Sequence, residues 1–215
     1  HADAPIDGKA ILLKVDRNLE PESYEMYRKL INIEPDGTKK EFVIYSVKKG
    51  KGLTTLNYAV DRRYGGSSGF SVGSTIKMFT LVAALETGWA ASGSVFARGS
   101  GPGRPVDPPY TSNDIPGPCG LGPGQTWAPK NDTGIAQGNI RITDATKWSI
   151  NTAFIAIASR VGVCNVREVQ KRLDLHTGEG AELKNLAAAT ILGTESVSPM
   201  TIGASYAAIA AEGKY

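Results

Sequence analysis

Gly73-Ser74-Thr75-Ile76-Lys77-Met78-Phe79 opens the stretch that decides the reading of this chain, and the run continues as Thr80-Leu81-Val82-Ala83-Ala84-Leu85. Read as a helix from Ser74 to about Thr87, it places Ser74 and Lys77 on one face, because side chains three apart share a face. Both sit at the helix N-terminus, where the positive end of the dipole disfavours an ammonium. Burial among Ile76, Met78, Phe79, Leu81, Val82 and Leu85 disfavours it further. The two effects predict a Lys77 amine neutral enough to take a proton from the Ser74 hydroxyl. That arrangement makes a serine nucleophile without a histidine. The apolar residues leave no polar stripe, so the helix is predicted to be buried on nearly all sides, with Gly88 ending it.

On the N-terminal side, Asn57 to Gly73 is rich in Gly and Ser and reads as loop or short turns. Before it, Leu30-Ile31-Asn32-Ile33 and Glu41 to Val47 flank Pro35-Asp36-Gly37, a hairpin signal in which Pro presets φ and Asp-Gly supplies the turn. Ala10 to Val15 reads as a short strand and Glu20 to Arg28 as a helical turn or two, within an accessory segment 1–29. On the C-terminal side, Gly99 to Gly124 is punctuated by Pro and Gly and is predicted to be one long surface excursion. Ile142 begins a helix with Thr143 as its N-cap. Thr152 to Arg160 is an apolar helix ended by Gly162, and Val166 to Leu175 has helical spacing. Ser198-Pro199 is a helix start, cap followed by Pro at the first helical position, leading into Met200 to Ala211 with Gly213 as the stop. The fold class is α+β: a helical subdomain with part of an antiparallel sheet.

Composition bounds the function. The chain of 215 residues is 41% hydrophobic and 21% charged, the balance of a globular protein. A net charge of +3, with no Arg/Lys stripe interleaved with aromatics, argues against a nucleic-acid partner. No apolar stretch reaches membrane-spanning length and no signal peptide is present, so an anchor is expected outside this chain. Cys119 and Cys164 could pair with each other, pair beyond the chain or stay free. With His1 and His176 they are too scattered for a zinc site, and no metal or cofactor is predicted. His176, in a polar Leu-His-Thr-Gly segment, is expected to be exposed and structural.

Ser-x-x-Lys alone is weak, since about one chance match is expected in a chain this long. A second match, Ser46-Val47-Lys48-Lys49, ends a strand, where positions three apart point to opposite faces. Gly69-Phe70-Ser71-Val72-Gly73 matches the Gly-x-Ser-x-Gly nucleophile elbow. That motif needs a strand leading in and a later Asp or Glu and then His, and Arg63 to Ser68 is no strand. What lifts Ser74 is Ser149-Ile150-Asn151, the single Ser-x-Asn of the chain, lying between two helices. One hydroxyl to relay a proton and one carboxamide to hold a substrate carbonyl or orient the lysine complete what lysine-assisted acyl transfer needs. The plainer alternative is that Ser149 caps the next helix and Asn151 satisfies its own turn.

At these residues the sequence resembles the penicillin-binding transpeptidases, serine acyltransferases inhibited by β-lactams. Asn57 to Asp61, Tyr64-Gly65-Gly66 and Gly69 to Lys77 look like the approach to the family's nucleophile. Trp127-Ala128-Pro129-Lys130-Asn131 and Ala145 to Phe154 look like the second-motif region. Leu192-Gly193, Val197 to Met200 and Ala204 to Ala207 look like the helix after that region. The Trp-x-Pro-x-Asn segment and the surroundings of Cys164 are most similar to class A, bifunctional members. The resemblance covers about Leu30 to Tyr215, taken as the transpeptidase domain.

The resemblance implies a β-lactamase/transpeptidase-like fold, with Ser74 as acylated nucleophile, Lys77 as general base, Ser149 as proton relay and Asn151 as the group that binds the substrate amide. It implies peptidoglycan stem peptides ending in D-Ala-D-Ala as substrates, β-lactams as inhibitors and the extracytoplasmic membrane face as location. The backbone N–H of Ser74 would be half of an oxyanion hole. The family's Lys-Thr/Ser-Gly strand is not present, since the only late lysine is Lys214. The domain is therefore expected to be completed by a C-terminal remainder on a separate segment or chain, with Cys164 a candidate to pair with a residue there. The 30–47 hairpin alone is too little sheet to cover the apolar helix. Alternatives in the same fold are a D,D-carboxypeptidase or a β-lactamase. The alternative of another class is a non-catalytic β-lactam sensor or cell-wall scaffold.

Overall fold

The computed structural model describes residues 4–6, 9–15, 26–33 and 39–47 as backbone strands, and 57–184 and 186–213 in full. The chain divides into two compact units, 1–56 and 57–215.

The first unit holds a four-stranded antiparallel sheet in sequence order: β1 (Ala4–Ile6), β2 (Lys9–Val15), β3 (Met26–Ile33) and β4 (Lys39–Val47). The predicted hairpin is β3–β4, in register Leu30 with Phe42 and Ile33 with Lys39. It does not stand alone, because β2 pairs with β3, Leu13 opposite Leu30. Met26 to Arg28 belong to β3, not to a helical turn, because ladder pairing with β4, and at Arg28 also with β2, outweighs a helix too short to hold itself. Glu20 to Glu25 and the Pro35-Asp36-Gly37 turn lie outside the described residues.

The second unit is mostly helical. It starts with β5 (Asn57–Asp61), parallel to β6 (Gly66–Ser67), and then β7 (Phe70–Ser71). A 3₁₀ turn, Gly73–Ile76, runs into α1 (Lys77–Glu86). Then come β8 (Ser94–Ala97), β9 (Tyr110–Thr111), β10 (Thr126–Trp127) and β11 (Gly138–Arg141), paired β8 with β11 and β9 with β10. The rest is α2 (Ile142–Lys147), α3 (Asn151–Val161), α4 (Val163–Arg172), α5 (Ala187–Leu192), β12 (Ser196–Val197) and α6 (Pro199–Ala210). The stretch 57–73, predicted to be loop, therefore carries three short strands. β7 pairs with β12, a partner more than a hundred residues away that no local pattern reveals.

The most buried helix is α3, whose Ala153, Phe154, Ile155, Ile157 and Ala158 are all inaccessible. It packs on α1, α4, α5 and β8. The expectation that α1 is buried on nearly all sides is corrected. Ile76, Phe79, Ala83 and Ala84 face the core, but Leu85 is 54% exposed. Leu81 and Leu85 line an apolar groove of about 310 Å³ with Trp89 and Ile142. The buried face includes Lys77 and Thr80 instead. A missing polar stripe counts residue types, not the neighbours that packing supplies.

Three further expectations change. Helix α2 begins at Ile142 with Arg141 at its N-cap, so Thr143 lies inside the helix and caps nothing. The excursion from Gly99 to Gly124 is not purely surface: Val106, Tyr110, Ile115 and Cys119 are buried core residues. Cys119 bonds to Cys164, which settles the open pairing and removes the expectation of a partner beyond the chain. His176 is structural, as expected, but not exposed. Its Nε2 lies 2.9 Å from the Oδ2 of buried Asp61, and its Nδ1 lies 2.6 Å from the Asp174 carbonyl. Burial raises the Asp61 carboxyl, but hydrogen bonds from Ser198, His176 and Thr201 and the charge of His176 outweigh it and hold the group below its ordinary value. This cluster ties β5 to the start of α6. There Ser198 caps the helix as predicted, its Oγ accepting from Thr201 N, with Pro199 at the first position.

Candidate active site

Ser74 lies in the 3₁₀ turn and Lys77 is the first residue of α1. Side chains three apart eclipse in a 3₁₀ turn, so the predicted shared face is realised by a different local geometry. Ser74 is exposed, whereas Lys77 is only 4% exposed. Lys77 Nζ lies 3.0 Å from Ser74 Oγ.

The same nitrogen reaches the other predicted motif. It lies 2.9 Å from Ser149 Oγ, 2.7 Å from the Ser149 carbonyl and 2.5 Å from Asn151 Oδ1. All four residues singled out in the sequence, Ser74, Lys77, Ser149 and Asn151, thus meet at one amine. Ser149 does not cap α3. The N-cap is Ile150, whose side chain has no acceptor, and Ser149 adopts φ 51. A left-handed conformation in a residue with a Cβ costs on the order of 1–3 kcal/mol. It turns the Ser149 hydroxyl and carbonyl towards Lys77 together. Asn151 does not serve its own turn either: its Nδ2 donates to the Lys130 carbonyl at 2.6 Å.

Burial pushes the Lys77 amine down to about 8, against a smaller opposing pull from the Asp132 carboxylate. The Phe154 ring, 5.4 Å below Nζ, forms part of the dry floor.

The Ser74 turn is held from behind by residues to which the sequence alone assigned no role. Gly73 N donates to the Gly193 carbonyl at 2.9 Å and Val72 N to the Glu195 carbonyl at 3.0 Å. Gly193 ends α5 at φ 72, and a Cβ there would lie 2.4 Å from the Gly73 oxygen. Tyr206 Oη on α6 donates to the Thr75 carbonyl at 2.7 Å. Gly at a helix end was the available signal for Gly193. Nothing local marks Tyr206.

The two decoys have other occupations. Ser71 Oγ donates to the Gly193 carbonyl, and His176, the downstream histidine an elbow would need, is engaged with Asp61. Ser46 lies in β4 opposite Tyr27, while Lys48 and Lys49 are outside the described residues. Among the described residues, no group of three or more His, Cys, Asp or Glu side chains could hold a metal ion.

Compared by sequence, the chain matches no family model and no curated protein. Compared by structure, it is similar to penicillin-binding protein 1A from Haemophilus influenzae, with a TM-score of 0.51 and 20% identity over 84% of this chain. It is also similar to PBPA from Mycobacterium tuberculosis, with a TM-score of 0.50 and 21% identity over 72% of this chain. A further structure of the latter protein, an imipenem acyl-enzyme complex, matches equally. The chain spans 26% of the first protein and 34% of the second. The chain has the fold of part of the penicillin-binding proteins.

Proposed function

We propose that this chain carries the nucleophile and its proton machinery for a serine D,D-transpeptidase that cross-links peptidoglycan stem peptides and is acylated by β-lactams. The observation that carries the reading is the convergence of Ser74 Oγ, Ser149 Oγ and Asn151 Oδ1 on the Lys77 amine. A neutral Lys77 takes the Ser74 proton as Oγ attacks the carbonyl of the D-Ala-D-Ala bond. The proton passes through Ser149 to the leaving nitrogen, and D-Ala departs. An amine of a second stem then attacks the Ser74 ester, returning the proton by the same path. Ser74 is the second residue of its 3₁₀ turn, a position whose N–H has no acceptor within the turn and suits an oxyanion. Asn151 orients Lys77 through Oδ1. To bind a substrate amide, its Nδ2 would exchange the Lys130 carbonyl for a substrate carbonyl.

The same fold in a protein solved as imipenem and penicillin G acyl-enzymes supports the β-lactam part of the reading. The disulfide supports an oxidising, extracytoplasmic location. Among the described residues no helix is long and apolar enough to cross a membrane. The remaining oxyanion donor and the substrate-carboxylate site are proposed to come from a segment that bears the Lys-Thr/Ser-Gly strand.

The test is incubation of the full-length protein with labelled penicillin G. A stable covalent adduct is expected, abolished in Ser74→Ala and kept in Ser46→Ala and Ser71→Ala. Labelling that survives Ser74→Ala overturns the assignment. Labelling without cross-linked stem dimers from a lipid-linked substrate removes the transpeptidase and favours the sensor, or the carboxypeptidase if D-Ala is released.

A further inference from the structure

Helix α3 starts without a cap of its own. Its N-cap residue is Ile150, an apolar side chain that cannot accept from the free N–H groups of the first turn. The missing acceptor comes from a segment 21 residues upstream. Asn131 Oδ1 accepts from Thr152 N at 3.0 Å, and Asn131 Nδ2 donates to Thr152 Oγ1 at 3.1 Å. Asn131 is 1% exposed and Thr152 is inaccessible. A two-point contact in a dry surrounding is directional and is not replaced by water. The Asn131 backbone is itself fixed, its N–H donating to the Oγ of inaccessible Ser100 at 3.2 Å.

The neighbouring residue completes the clamp. The Lys130 carbonyl accepts from Asn151 Nδ2, which turns Asn151 Oδ1 to the opposite side of the carboxamide, where Lys77 Nζ donates to it. On its other flank the left-handed Ser149 turn is held by α2: Ser149 N donates to the Thr146 carbonyl and Ile150 N to the Ala145 carbonyl. Two anchors therefore bracket the strained turn, one from the end of α2 and one from Lys130-Asn131.

We propose that Asn131 is a positioning residue of the Ser74 centre, capping α3 from outside the helix and so holding Ser149 and Asn151 against the Lys77 amine. The inference rests on the transpeptidase reading only for what the centre does. The positioning itself is a property of Lys77 and its partners. The hydrogen bonds of Asn131 go to Ser100 and Thr152, not to Ser74 or Lys77, and it acts through Thr152 and the turn before it. With Asn131 removed, the start of α3 frays, the Ser149 turn relaxes, and water reaches the ammonium that burial now disfavours.

Two readouts in the full-length protein separate the two ideas. The first is the NMR titration midpoint of Lys77, followed at its ¹³Cε. The second is the rate of penicillin G acylation across pH. Asn131→Ala removes both contacts, and the nearly isosteric Thr152→Val removes one and is expected to fold as the wild type does. In Asn131→Ala the Lys77 midpoint is expected to move up by at least half a pH unit and acylation at pH 7 to fall at least about tenfold, while Thr152→Val, which keeps the cap on Thr152 N, is expected to shift both by less. Thr152→Ser, which keeps the hydroxyl, is expected to stay within about twofold of the wild type. A folded Asn131→Ala, or the near-isosteric Asn131→Leu where the alanine variant does not fold, whose Lys77 midpoint is unchanged overturns the positioning role, because both lack the acceptor for Thr152 N. A wild-type protein that is never acylated, with the midpoint still shifting in the variants, removes the acyltransferase reading and leaves the positioning intact.

Discussion

Lys77 Nζ has four oxygens within hydrogen-bonding distance, and an ammonium has three protons. A neutral amine also engages three of the four at a time, but in the arrangement a base needs: two N–H bonds go to acceptor-only groups, the Ser149 carbonyl and Asn151 Oδ1, and the lone pair accepts from one hydroxyl. Ser74 and Ser149 are both placed to supply it. Burial moves the same way, to about 8 from an ordinary 10.5. The folded value lies below the unfolded one, so the unfolded chain binds the proton more tightly. The cost of burying the charge is full below about pH 8 and vanishes as pH rises through 10.5. For activity the sign is the same. Acylation of Ser74 by penicillin G is expected to rise with pH to a plateau, with a midpoint near 8, measured as the second-order rate constant from pH 6 to 10. A profile flat across that range would remove Lys77 as the base.

At the scale of elements, the Ser74 turn is as well positioned as its neighbours allow. α5 ends on Gly193, whose left-handed backbone brings its carbonyl to Gly73 N and Ser71 Oγ at once. Only glycine fits, because a Cβ would meet the Gly73 oxygen at 2.4 Å and the Gly73 nitrogen at 2.8 Å. Gly193→Ala is therefore expected to lose about 1–2 kcal/mol from the left-handed conformation alone, and more from the displaced turn. Differential scanning calorimetry and the penicillin G acylation rate read the two effects. A variant that loses stability but acylates at the wild-type rate would show that the turn tolerates the shift. The sequence marked α3, α4 and α6 through apolar spacing and their Gly or Ser-Pro boundaries. It did not mark β7–β12 or β5–β6, because two-residue pairings carry no periodicity and owe their existence to partners far along the chain.

At the scale of the molecule, the segment from Gly99 to Asn131 links the core to the site. It sends Val106, Tyr110 and Ile115 into the interior and ends on the Lys130-Asn131 pair beside Asn151. The Cys119–Cys164 bridge pins this segment to α4 across a separation of 45 residues. Loop-closure entropy for a span of that length is on the order of 4 kcal/mol. Reduction, or the Cys119→Ser/Cys164→Ser pair, is expected to lower Tm by roughly 10 °C for a protein of this size. A melting curve unchanged by reductant would show that the segment is held by its core residues alone.

The sequence by itself determined the chemistry on offer. Ser74 and Lys77 three positions apart at the head of an apolar run, and a lone Ser149-Ile150-Asn151 between two helices, are local statements, readable because helical spacing converts separation into direction. The boundaries at Gly88, Gly162 and Ser198-Pro199 are local in the same sense. What only the tertiary structure decided are the relations between distant segments. Ser149 faces Lys77 and caps nothing, Asp61 holds His176, and Cys119 finds Cys164. Asn131 closes a helix it does not belong to. Each depends on a through-space partner for a buried polar group or thiol, and a buried polar atom takes whichever partner packing brings within three ångströms, a choice that sequence separation does not encode.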